Sequence, residues 1–160
     1  MKKAVLRISI GVICVVVASI LAVYLRGSAP LGRGMADVTI NGQTIRAEVV
    51  STEPARERGL GGRSGIGADE GMLFVFDSPG LHGFWMKDMR FPIDIVWMAD
   101  GKIVSIEENV DPQIGATESE LKNYFPETFD DRVLELQAGR VKTLGAHVGD
   151  SVTIINSEMQ

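Results

Sequence analysis

Cysteine is nearly absent from this chain. Of 160 residues one is a cysteine, Cys14, and it lies inside a long apolar run. The rest of the chain therefore has no disulfide and no thiol nucleophile. Its stability has to come from a packed core, which about 120 residues can build. Cys14 itself follows Gly11-Val12-Ile13, which lacks the small residues of a lipoprotein processing site, so it reads as an inert, membrane-buried thiol. Histidine is as scarce: His82 and His147 are the two present, and they do not form a metal-ligand spacing such as HExxH. Neither a Gly-rich phosphate loop nor a G-x-S-x-G elbow occurs. Together these absences disfavour a zinc hydrolase and a Ser-His-Asp enzyme, and no cofactor is expected.

Acidic residues are missing from the first 26 positions, which hold Lys2, Lys3, Arg7 and Arg26. Setting these aside leaves 16 − 4 = 12 basic against 21 acidic residues, a formal charge of −9 for the remainder. Such a surface repels phosphate backbones and anionic headgroups, so nucleic acid is not an expected partner. Between Arg7 and Arg26 runs ISIGVICVVVASILAVYL, residues 8–25. Eighteen residues at 1.5 Å each make roughly 27 Å of helix, about the hydrocarbon thickness of a bilayer. The run exceeds the roughly 7–15 residues of a signal-peptide core, and the positive charge ahead of it points the N-terminus into the cytoplasm. Residues 1–26 thus read as a transmembrane anchor, with a cleaved signal as the alternative. Residues 27–36, GSAPLGRGMA, read as a flexible tether, and residues 37–156 as one domain outside the cytoplasm. The expected location is the cell membrane, single-pass with a periplasmic domain, or the periplasm or exterior if the segment is cleaved.

In the domain the apolar period is mostly two. Val38 and Ile40 alternate with polar neighbours, Asn41-Gly42 follows, and Ile45, Ala47 and Val49 alternate again, which is the pattern of a tight hairpin. Residues 52–60, TEPARERGL, read as a short helix capped by Thr52, with Pro54 in its first turn and Gly61-Gly62 at its end. Met72 to Phe76 is short and continuously apolar, as a strand covered on both faces would be. Asp77 to Gly80 is expected to turn the chain, with Leu81 to Met86 returning as a strand. Ile93–Met98 and Ile103–Ile106 flank Asp100-Gly101, a second hairpin signal. Residues 111–130 read as a long loop with one helical turn. Val133–Leu136 and Val152–Ile155 are late strands, separated by a short helix or turn. Seven or eight short strands imply a mainly β fold, a jelly-roll-like sandwich or partly open barrel with one or two short helices.

Two carboxylates interrupt apolar strands: Asp94 within Ile93–Ile95 and Glu135 within Val133–Leu136. A half-buried carboxylate costs several kcal/mol unless paired or neutralised. Two in one pocket would drive their pKa values apart, as acid–base work on a glycan requires. The structural alternative pairs each with Lys87, Arg58 or Arg63 to hold the fold. Trp85 beside Lys87 and Asp88 is an arrangement that stacks a sugar or other flat ligand, or else Trp85 is core. His82, Met86 and Met89 form a soft-ligand set of the kind that holds Cu(I), although Met also fills cores.

The segment GMLF, then FWMK, P-x-D and DGKI, within residues 71–103, resembles the domain of unknown function numbered 192, also called uncharacterised protein family 0127. The resemblance extends over about residues 38–155. It implies a jelly-roll-like β-domain, no assigned activity, and recurrence of positions matching Arg58, Gly59-Leu60, Arg63, Trp85-Met86-Lys87, Asp94 and Glu135. Two departures stand out: Asp88-Met89 replaces an uncharged pair, and Gly61 stands where that family has Met. The expected function is a non-enzymatic ligand- or partner-binding module of the envelope, its site lined by Trp85, Lys87, Asp94, Glu135 and Arg58 or Arg63. Its partner would be an envelope glycan, a peptide or a protein. The alternatives are a hydrolase or lyase using Asp94 and Glu135, and Cu(I) binding through His82 and methionines.

Overall fold

The computed structural model describes residues 34–156. The expected anchor over 1–26, with Cys14, and the tether up to residue 33 lie outside the described residues. Among the described residues no helix is long and apolar enough to cross a membrane.

Strand β1 (Gly34–Ile40) begins inside the stretch read as tether, because Ala36 already packs, fully buried, in the core. It turns through Asn41 and Gly42, both at positive φ (49° and 76°), into β2 (Gln43–Val50). This is the backbone that a right-twisted two-residue hairpin needs. Helix α1 (Glu53–Arg58) follows, and then β3 (Glu70–Gly80), β4 (Phe84–Trp85), β5 (Ile93–Ala99) and β6 (Lys102–Val110). A 3-10 turn at Glu118–Glu120, β7 (Asn123–Tyr124), β8 (Asp130–Gln137), helix α2 (Arg140–Leu144) and β9 (Val152–Asn156) complete the chain.

Seven strands form one sheet in the order β6-β5-β8-β3-β2-β1-β9. Only β2 and β3 run parallel, joined by the crossover that carries α1. The two edge strands meet at one end. Lys102 bridges to Ser151, Gly149 N–H donates to Ile103 O at 2.8 Å, and Val152 N–H donates to Gly101 O at 2.8 Å. The sheet therefore curls into a half-barrel, and its strands are not divided between two facing sheets. β4 and β7 form a separate two-stranded piece.

Each face of the sheet carries its own core. Inside the curl, Val38, Ile40, Ile45, Leu73, Val96, Leu134 and Leu136 pack with Val141 and Leu144 of α2. On the outer face, Met72, Phe74, Ile95, Trp97 and Val133 lie beneath Leu60, Phe84, Met86 and Met89. The central strands β3, β5 and β8 thus carry apolar residues on both sides, which explains hydrophobic runs that only Asp94 and Glu135 interrupt.

Several expected boundaries move. Asp77 to Gly80 belong to β3, whose register against β8 shifts between Val75 and Gly80, so the chain does not turn there. The strand expected over Leu81–Met86 contracts to Phe84–Trp85, because its only partner is the two-residue β7. Helix α1 stops at Gly59, not at Gly61-Gly62: Gly59 sits at φ 49° and its N–H donates to Ala55 O at 3.0 Å. Thr52 holds the cap position, but its hydroxyl makes no cap bond and is buried without a partner among the described residues.

Candidate functional site

The crossover from β2 to β3 lays α1 and residues 59–61 over the outer face of the sheet, leaving a cleft of about 410 Å³. Phe74 and Phe76 from β3 and Phe84 and Trp85 from β4 supply its aromatic walls, with Met89 and Leu60 beside them. Phe74 and Phe84 meet edge-to-face at 4.8 Å. Gly59 keeps the cleft open. A Cβ there would stand 3.4 Å from Phe74 Cζ and 3.8 Å from Glu135 Oε2.

Glu135 of β8 closes the deep end. It is 4% exposed, and its Oε2 has no hydrogen-bond partner among the described residues. Removal from water disfavours the ionised form, and burial pushes this carboxyl up to about 8 against the opposing pull of Arg63. Arg63 is itself bonded to Glu48, Nη2 to Oε2 at 2.6 Å, so it acts on Glu135 only through its field. At neutral pH Glu135 is a protonated acid facing the cleft, able to donate a hydrogen bond.

His82 lines the other end. Its ring stacks on Phe76 at 3.5 Å and its Nδ1 lies 3.0 Å from Asp130 Oδ2, while its backbone N–H donates to Asp130 Oδ1 at 3.1 Å. Asp130 is fully buried; burial raises its pKa, and the bonds from His82 oppose the rise. Trp97 anchors this corner by donating its indole N–H to His82 O at 2.8 Å. Glu135 sits opposite Met72, whereas His82 stacks on Phe76, four residues further along β3. That is roughly 13 Å of strand between the two positions.

Charged side chains ring the mouth. Lys87 Nζ bonds Glu118 Oε2 at 2.6 Å, which raises its proton affinity, and lies 5.2 Å over the Trp85 ring. Arg56 donates to Val75 O at 3.0 Å and to Ser51 O, and lies over Phe76 at 5.0 Å. Arg58 also lines the cleft, and among the described residues its guanidinium has no hydrogen bond or ion pair. Glu53 and Glu57 complete the rim.

The structure thus brings Glu135, Arg58, Trp85, Lys87, His82 and Met89 to one cleft, and it separates others that the sequence suggested together. Asp94 is on the opposite face. It pairs across from Leu136, while Glu135 pairs across from Ile95. The sheet stands between the two carboxyls, so they form no acid–base pair. Asp94 is fully buried and accepts three backbone N–H bonds, from Asn109 at 2.8 Å, Gly139 at 3.1 Å and Val141 at 2.8 Å. Among the described residues no Lys or Arg pairs with it. Asp88 is a turn residue at φ 57° whose carbonyl accepts Gly62 N–H at 2.9 Å, and it borders a separate depression of about 680 Å³. Glycine at 61 lets that turn close against α1, since a Cβ there would stand 2.9 Å from Arg58 O and 3.1 Å from Lys87 O. Met86 and Met89 pack in the outer core, and the His82 ring is engaged by Asp130 and Phe76. Among the described residues no group of three or more His, Cys, Asp or Glu is placed to hold a metal ion. Sequence reasoning missed Asp130, which lies at the end of a polar stretch without period, and the aromatic walls at Phe74 and Phe76, which read simply as core.

Two solved structures share this fold. A protein of unknown function from Novosphingobium aromaticivorans DSM 12444 is 28% identical, with a TM-score of 0.66 over 74% of this chain and 83% of that one. A candidate transcription regulator from Sinorhizobium meliloti 1021 is 32% identical, with a TM-score of 0.64 over 76% of this chain and 92% of that one. Among curated proteins nothing matches. The family model for DUF192, described as Uncharacterized ACR, matches residues 36–154. The chain belongs to the DUF192 family.

Proposed function

We propose that the chain is a non-enzymatic ligand-binding accessory module of the cell envelope, tethered outside the cytoplasmic membrane by its N-terminal apolar segment. The cleft over Glu135 is its ligand seat. One observation carries this reading: a buried carboxyl with an unpartnered oxygen at the foot of an aromatic-walled cleft. An unpaired buried polar atom costs about 1–3 kcal/mol, a deficit that a ligand group removes on binding. Clefts of this size with an apolar lining and a few convergent polar groups are the usual form of small-ligand sites. A hydrolase acting through Glu135 would need a second catalytic group close by, and Asp94 is across the sheet. The regulator description of the Sinorhizobium protein is not carried over, because a net charge of −9 beyond residue 26 opposes contact with nucleic acid.

The test is thermal unfolding of the full-length chain in mild detergent against envelope glycans, wall fragments, peptides and Cu(I). A ligand at a hundred times its Kd adds about 2.7 kcal/mol, a rise of several degrees for a domain of this size. A shift with a glycan or wall fragment supports the reading. Silence across the panel refutes it and turns attention to a protein partner.

A further inference from the structure

This inference rests on the cleft as a ligand seat and concerns what chemistry it selects. The group that meets Glu135 Oε2 is either a hydrogen-bond acceptor, matching a neutral carboxyl, or a cation that draws the proton out. The lining decides between them. Arg56 and Arg58 face Glu53 and Glu57 around the same cleft and Lys87 is held by Glu118, while the positive field of Arg63 already acts on Glu135, so a ligand cation on Glu135 would meet that like charge. Arg58, exposed and without a partner among the described residues, is instead free to take an anion. Between the two ends lie the Phe74 and Phe84 rings and Met89, an apolar surface suited to a sugar face or a methyl group. Neither edge strand of the main sheet, β6 or β9, contributes to the cleft. A peptide could not bind there by extending that sheet.

We infer that the cleft takes an N-acylated sugar acid, with Glu135 donating a hydrogen bond to the amide carbonyl and Arg58 pairing with the carboxylate. His82, with Nδ1 held against Asp130, leaves Nε2 to share a hydrogen bond with a hydroxyl at the far end. Glu135 must hold its proton to donate, so affinity falls as pH rises through about 8. The charged groups facing it are the Glu48–Arg63 pair from β2 and the loop after α1, and Glu53, Arg56, Glu57 and Arg58 around α1. Lys87 faces it from beyond β4. The neighbouring strands oppose it with Met72 and Ile95, which do not titrate.

Calorimetric titration of the full-length chain in detergent with N-acetylmuramic acid, N-acetylglucosamine and muramic acid, at pH 6.0 and 9.5, tests this. N-acetylmuramic acid should bind at pH 6.0 and weaken about thirtyfold by pH 9.5, the loss of protonated Glu135 over that interval. N-acetylglucosamine, without the carboxylate, should bind up to about fivefold more weakly, and Arg58→Gln should erase that difference. Glu135→Gln keeps an N–H donor and every surrounding charge, so it should bind N-acetylmuramic acid equally at both pH values. The inference falls if muramic acid, with its free ammonium, binds more tightly than its N-acetyl form. It falls equally if affinity holds or rises at pH 9.5, or if Glu135→Gln keeps the pH dependence. If these three sugars fail while another panel ligand raises the unfolding temperature, only this inference is lost. If the whole panel is silent, the ligand seat is lost with it.

Discussion

Replacing Glu135 with glutamine should flatten the dependence of folding stability on pH. In the fold this carboxyl titrates near 8, against an ordinary 4.5. Below 4.5 it is protonated in both folded and unfolded chains and contributes no pH dependence. Between 4.5 and about 8 the unfolded chain releases the proton and the folded chain keeps it, so the stability of the fold drops by about 1.4 kcal/mol per pH unit. The accumulated cost is about 3 kcal/mol at pH 7 and levels near 5 kcal/mol above pH 8, on the same linkage. That is a large share of the ~5–15 kcal/mol that holds a domain together. Glutamine fills the same space and leaves an amide there that does not titrate, so its own cost is constant with pH. The measurement is urea unfolding of wild-type and Glu135→Gln full-length chains in detergent from pH 5 to 9, followed by tryptophan emission. Trp97, fully buried on the outer face, is a native-state reporter. The stability of the variant relative to wild type should climb by about 1.4 kcal/mol per unit between pH 5 and 8. A difference that stays level across that interval would refute a neutral, unpaired Glu135.

Asp94→Ala should cost about 3 kcal/mol or more by taking the acceptor from three backbone donors, one of them buried and two part-buried. Asp94→Asn should recover part of this, and equal stability of Asp94→Ala and wild type by urea titration would contradict it. Gly71→Ala puts a methyl 3.0 Å from both Ile45 Cγ2 and Leu134 Cδ1, in a core with no slack. A loss of about 1–3 kcal/mol is expected in thermal unfolding, and an unchanged midpoint would mean that the Ile45 and Leu134 side chains can give way there. Asp130→Ala strands the His82 N–H and frees its ring, so stability should fall by about 1–3 kcal/mol. Trp97 emission should shift with it through the His82 carbonyl, and unaltered emission would argue against that coupling.

Local chemistry was legible where two neighbouring residues decide the backbone. Asn41-Gly42 and Asp100-Gly101 both take the positive φ of tight hairpins, and Thr117 with Glu120 caps the turn within the expected loop. The mainly β character and two short helices follow from period and punctuation. What could not be read was which acid faces which way. Asp94 and Glu135 each interrupt an apolar strand, and pleating says only that each shares a face with its own neighbours two residues away. Their relation depends on how β5 pairs with β8, a contact between strands some forty residues apart in sequence. The cleft was hidden for a similar reason. Its walls come from α1, β3, β4 and β8, and Phe74 looks like any core residue until Gly59 fails to cover it.

The opposed carboxyls also bear on how the chain finds its pairing. The paired stretches 93–98 of β5 and 133–136 of β8 carry apolar side chains on both faces, and a slip of one residue between them would cost those greasy side chains little. The acids make the slip expensive. Sliding β8 by one position turns Glu135 into the inside of the curl, among Val96 and Leu73, where its proton would find no acceptor and its charge no solvent. Sliding β5 pulls Asp94 away from the amides of Asn109, Gly139 and Val141 all at once. Two residues that look like flaws in hydrophobic strands thereby act as alignment marks, one for each surface of the sheet. A misaligned chain would be penalised before its last strands close the barrel.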